Sequence, residues 1–252
     1  MRFILVAALL ATTPALSADI KVNTEDGQTL HAVEQGRGSH GVLLLHDQGR
    51  THSDWTLFIS KLESKGYRVL AIDLRGHGES ASILDTEPDW ANMPADVTAS
   101  LAHLRKSGVK QVSVVGAGLG ANLAIELAAR DESLASVVLL SPGLNIQGFK
   151  PSGVIAGVGD KPLLLAAAKD DRRASSTVKY LEKQTKGPTR AMLLNGVATG
   201  TNLLDENPNL EDGILSWLAG NYTVATGLGE GATLRTGEVD ANESQGKRYG
   251  EK

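Results

Sequence analysis

From residue 20 onward the apolar positions switch regularly between two rhythms. Short runs rich in Val, Ile and Leu, over 20–24, 28–34, 42–46, 67–73, 112–115, 137–140, 162–168 and 190–194, predict strands. The run Val42-Leu43-Leu44-Leu45-His46 is continuous rather than alternating, as expected of a strand buried on both faces. Between these runs the spacing becomes helical. Trp55, Phe58, Ile59 and Leu62 share one face before Gly66, and Val97, Leu101 and Leu104 share another before Gly108. Further helices are predicted over 119–130, around Val178 and Leu181, and along Leu210, Ile214, Trp217 and Leu218.

Strand and helix in strict alternation imply an α/β protein with a mostly parallel central sheet and helices on both faces. The start differs: 20–24 and 28–34 flank Glu25-Asp26-Gly27, a turn signal that predicts an antiparallel N-terminal hairpin, the only antiparallel part expected. Between Ser141 and Pro151 there is no room for a cap domain, so a site at the carboxyl edge of the sheet should be roofed by loops alone.

The two ends fall outside this rhythm. Arg2, the apolar stretch over 3–11 and Ala15-Leu16-Ser17 read as a signal peptide over 1–17, which predicts an exported protein, periplasmic or secreted, with no membrane span after its removal. A domain over 18–220 follows. Residues 221–252 lose the periodicity, are rich in Gly and read as a flexible C-terminal tail with a short ordered stretch around 233–239.

Composition narrows the function classes. In 252 residues, 25 basic groups face 29 acidic ones, neither sign forms a run, and aromatics are 4%, so nucleic acid is not an expected partner. Cys is absent, which neither requires nor excludes an oxidising compartment.

In a doubly wound sheet ligands bind beyond the carboxyl ends of the strands, and the chemistry is read there. After 42–45 comes His46-Asp47-Gln48-Gly49, then Ser53-Asp54-Trp55. After 69–72 comes Asp73-Leu74-Arg75-Gly76-His77-Gly78-Glu79-Ser80, and after 112–115 comes Gly116-Ala117-Gly118-Leu119-Gly120-Ala121. Over roughly 26–219 the chain resembles the α/β-hydrolase superfamily, in particular its single-domain serine-aminopeptidase and carboxylesterase-like members.

That resemblance implies a triad of nucleophile, acid and histidine in chain order, with the nucleophile on a Gly-x-Ser-x-Gly turn. Gly116 and Gly120 match the flanking glycines, but Gly118 stands at the nucleophile position. Asp170 stands where the acid belongs, with Asp171 beside it, and Thr199 takes the place of the histidine. Without an oxygen nucleophile no acyl-enzyme forms, and without imidazole there is no proton acceptor suited to neutral pH. The crevice should remain, with binding residues Asp47 and Leu119, as backbone N–H donors, and His46, and with Gly118 enlarging the space above those donors.

No other histidine replaces the missing one, since all six, His31, His40, His46, His52, His77 and His103, precede the late strands. His46 and His77 belong to structural turns, His31 and His40 are expected to be solvated, and Ser141 reads as a turn residue before Pro142-Gly143. His46, Asp47 and His52 offer two imidazoles and a carboxylate, but not at helical His-x-x-x-His spacing, so neither metal nor other cofactor is expected. Three readings follow. The first is a pseudoenzyme that binds a small molecule or a protein in the crevice over Gly118. The second is a hydrolase of ester or amide bonds using Asp170 as base, which requires that carboxylate to be buried. The third takes Gly116-x-Gly118-x-x-Ala121 as a nucleotide-binding turn, although no acidic residue ends the next strand.

Overall fold

The structure, a computed structural model, describes residues 17–81 and 87–222 and the backbone of 233–235. The expected signal peptide, apart from Ser17, and most of the tail lie outside the described residues. One sheet takes in β1 (Ala18–Asn23), β2 (Thr29–Gln35), β3 (His40–Leu45), β4 (Arg68–Ile72), β5 (Gln111–Ala117), β6 (Leu134–Leu140), β7 (Leu163–Ala168), β8 (Thr189–Leu194) and β9 (Thr233–Arg235). Their spatial order is β1-β2-β4-β3-β5-β6-β7-β8-β9. The helices are α1 (Thr56–Ser64), α2 (Met93–Lys106), α3 (Leu119–Arg130), α4 (Pro151–Val154), α5 (Arg172–Gln184), α6 (Asn202–Glu206) and α7 (Pro208–Leu218). This is the α/β-hydrolase fold, and the segment between β6 and β7 holds only a loop, α4 and one 3₁₀ turn in place of a cap domain.

From β4 through β8 all neighbours are parallel. Antiparallel pairing extends beyond the hairpin, because β2 also pairs antiparallel with β4 and β8 with β9. The first correction has a simple cause. Parallel neighbours need a crossover of about a dozen residues, and the few residues between β2 and β3 reverse the chain instead; β4, parallel to β3, then meets β2 head to tail. The second lies in the tail, where the strand Thr233–Arg235 reaches back to the edge of the sheet within the stretch expected to be ordered.

Continuous apolar strands split into two cores by alternation. Leu43, Leu45, Val114, Leu139 and Leu165 face α2, α3 and α5, while Val42, Leu44, Val115, Leu140 and Leu164 face α1, α6 and α7. With both faces of the strands buried, the loops at their carboxyl ends are left to form the site. No helix among the described residues is long and apolar enough to cross a membrane.

Candidate functional site

β5 runs into α3 through Gly118, whose φ of 51° and ψ of −111° lie where an L side chain is strained. The flanking glycines make the turn possible. A Cβ on Gly116 would sit 2.2 Å from the Gly120 carbonyl oxygen, and one on Gly120 would sit 2.2 Å from the Leu45 carbonyl oxygen. The sharp strand-to-helix turn is therefore present in the backbone although the hydroxyl is not.

The space over Gly118 is not enlarged, contrary to expectation. The Asp47 side chain fills it: a Cβ on Gly118 would lie 1.9 Å from Asp47 Oδ1, and one on Gly200 would lie 3.3 Å from Oδ2. Asp47 Oδ1 accepts the Leu119 N–H at 2.8 Å and the Gln48 N–H at 2.7 Å. Two main-chain donors from different loops thus converge on one carboxyl oxygen, the arrangement that a hydrolase offers to a developing oxyanion. The two N–H groups so engaged belong to Leu119 and Gln48, and the Asp47 side chain is the occupant. Nothing in spacing alone revealed Gln48; the readable signal was a carboxylate set into a turn whose amides point at an oxygen. Burial pushes the Asp47 carboxyl above its ordinary value, against the two N–H groups that favour its charged form.

The same bonds remove the nucleotide reading. At the start of α3 the Leu119 N–H is held by Asp47, the Gly120 N–H by the His46 carbonyl and those of Ala121 and Asn122 by the Gly118 carbonyl, which leaves no ring of free donors for a pyrophosphate.

The cleft above Asp47 measures about 1040 Å³, and Gly118, Ser141, Leu144, Asp170, Arg172 and Thr199 are among the residues that line it. The structure thus brings Gly118, Asp170 and Thr199 to one mouth. Asp170 is exposed, so the buried base required by the hydrolase reading is absent, while Asp171 caps α5 by accepting the Arg173 and Ala174 N–H groups. Thr199 is also exposed. Ser141 is more than a turn residue: it is buried, has φ of 51°, and its Oγ accepts the Gly200 N–H at 3.0 Å, tying the loop after β8 to the end of β6. Thr201 adds a second tie by donating its hydroxyl to Asp54 at 3.0 Å.

His46 does not reach the cleft and is not a binding residue. Fully buried, it accepts the Leu74 N–H on Nε2 at 3.0 Å, which leaves its proton on Nδ1 to donate to the Asp47 carbonyl at 2.7 Å. Burial pushes the imidazole down to about 4, so the neutral ring acts as a strut between two turns. His77 is likewise buried in its turn, with Nδ1 3.0 Å from the Arg75 carbonyl. His40 and His31 are half-buried rather than solvated, His40 lying 2.9 Å from Ser113 Oγ. His46, Asp47 and His52 do not form a cluster; His52 instead faces Asp73 and His31.

Arg75 anchors the turn after β4. Its side chain is buried against Asp96, with bonds of 2.9 Å from Nε and 2.6 Å from Nη2, and its N–H adds a third at 2.9 Å. Asp26 from the hairpin turn takes Nη1 at 2.7 Å.

Comparison with known proteins agrees with this architecture. The sequence model described as "Alpha/beta hydrolase family" matches residues 42–231. A non-heme haloperoxidase of Rhodococcus erythropolis is 32% identical over 144 residues, covering 55% of this chain and 51% of its own. A 2-hydroxy-6-oxononadienedioate/2-hydroxy-6-oxononatrienedioate hydrolase of Burkholderia vietnamiensis is 30% identical over 141 residues, covering 54% of this chain and 48% of its own. The chain thus spans about half the length of these curated relatives. Among solved structures, an esterase of Pyrococcus furiosus superposes with a TM-score of 0.67 at 17% identity, over 83% of this chain and 92% of the esterase.

Proposed function

The chain belongs to the alpha/beta hydrolase family, and from that premise we propose that it binds a ligand or partner in the cleft over Gly118 without hydrolysing esters or amides through a serine mechanism. The observation that carries this reading is the Asp47 carboxylate seated on the Leu119 and Gln48 N–H groups. A hydrolase keeps those donors for charge that appears only in the transition state. Here the Asp47 carboxyl already occupies them, and an oxyanion would have to displace it. The nucleophile position carries no side chain, and the exposed Thr199 offers no imidazole.

The same carboxylate defines what the cleft favours. Its inner end presents an acceptor, so a ligand group that donates hydrogen bonds, such as an amide or an ammonium, suits it better than a carbonyl or phosphate oxygen. Export, read from residues 1–17, is part of the proposal and places the ligand outside the cytoplasm.

The test is turnover of p-nitrophenyl acetate. The wild-type chain is expected to match buffer, and an esterase-like rate that Asp170→Asn abolishes would overturn the reading. Gly118→Ser with Thr199→His should remain inactive, because Asp47 still fills the seat. Adding Asp47→Gly to that pair should raise the rate by about 10²-fold or more, the contribution expected of a working general base and freed oxyanion donors.

A further inference from the structure

Away from the cleft, three side chains from separate elements point at one another. His31 comes from β2, His52 from the 3₁₀ turn that precedes α1, and Asp73 from the end of β4. One potential ligand atom from each lies within 4.8 Å of the other two. Asp73 Oδ1 is 2.9 Å from His52 Nδ1, and Oδ2 is 3.4 Å from His31 Nδ1. For an ion with bonds of about 2.0 Å, neighbouring ligands in a tetrahedron sit roughly 3.3 Å apart. The 3.4 Å separation matches that edge, and the 2.9 Å one, a hydrogen bond between His52 and Asp73, would open by about 0.4 Å to admit the ion.

His31 Nδ1 supplies an independent observation. It is shut off from solvent and has no hydrogen-bond partner, while the His31 side chain is only 11% exposed. A buried ring nitrogen without a partner is a cost that folded proteins avoid unless something else satisfies it. The atom faces the one carboxylate of the cluster, whose orientation is already fixed by the His52 N–H at 2.7 Å and the Glu79 N–H at 2.9 Å. On its other side, His31 Nε2 faces Glu79 and Asp19 carboxylates, each 3.7 Å away. At that distance they make no hydrogen bond, but they add negative charge beside the ring.

We propose that His31, His52 and Asp73 bind a divalent transition-metal ion of the zinc class, with His31 and His52 ligating through Nδ1 and solvent completing the shell. Two imidazoles and one carboxylate suit zinc, whereas calcium and magnesium favour all-oxygen shells. None of the three residues lines the cleft over Gly118, and the ion would join β2, the turn after β3 and the end of β4 as a clamp. The proposal stands apart from the ligand-binding reading of that cleft.

The untagged full chain, stripped with chelator, is titrated with zinc alone by calorimetry, with melting followed in parallel. One equivalent is expected to bind, to raise the melting temperature, and to be unmatched by magnesium or calcium. Cobalt(II) in place of zinc should give the visible absorption of a four-coordinate nitrogen–oxygen site. His31→Gln and His52→Gln should each weaken zinc binding at least about tenfold, and His103→Gln should not. Asp73 is spared because its carboxylate also holds two loops. No stoichiometric binding, or binding unchanged in both variants, overturns the proposal.

Discussion

The loops after β3 and β4 and the loops after β7 and β8 stand at the same edge of one sheet, yet their side chains are engaged differently. In the first pair almost every polar group is engaged. His46 bridges two turns, Asp47 holds the Leu119 and Gln48 amides, and Arg75 is locked onto Asp96 and Asp26. In the second pair, Asp170 and Thr199 face solvent. The difference separates two kinds of motif residue. Side chains of the first kind hold backbone in place and are costly to replace, whereas exposed ones such as Asp170 and Thr199 can be exchanged at little structural cost.

This contrast is open to direct attack. The largest effect is expected from Arg75→Ala, which strands the fully buried Asp96 carboxylate. Removal of one partner of a buried pair costs about 3–5 kcal/mol, seen as a lower urea midpoint; a loss below 1 kcal/mol would deny the turn its structural role. Next comes acid sensitivity at His46. Its folded value is about 4 against an ordinary 6.5, so the native state binds fewer protons than the unfolded chain between those limits. That contribution to stability is complete above pH 6.5 and is lost as pH falls toward 4, on the order of 3 kcal/mol over the window. Denaturant midpoints across this range should slope more steeply in the wild type than in His46→Asn.

Gly118→Ser is expected to cost about 1–3 kcal/mol, from overpacking against Asp47 and the positive φ. Asp47→Gly in the same chain should recover the overpacking part, and a double-mutant cycle without coupling would show that the two residues do not compete for one space. The smallest effects belong to the late loops: Asp170→Asn and Thr199→Val should each stay within about 0.5 kcal/mol of wild type, as exposed substitutions do.

How much of this the sequence discloses follows from the same division. Backbone features are written locally: continuous apolar runs such as 42–45 marked the strands, and the spacing of Gly116, Gly118 and Gly120 marked the turn into α3. Side-chain destinations are not. That Asp47 would fold back over Gly118 depends on a glycine 71 positions later in the chain, and that His31 would meet His52 and Asp73 depends on β2 pairing with β4. The pairing of β9 with β8 was hidden for another reason, because a strand of three residues in a Gly-rich tail carries too little periodicity to name a partner.

The hydroxyl of Ser141 has one more effect. Because it grips the Gly200 amide from the end of β6, the neighbouring position 199 is a fixed mounting point, located by a strand rather than by whatever side chain it carries. A collection of substitutions there samples new functional groups at one unchanging address beside the cleft, which makes this loop a ready socket for redesign.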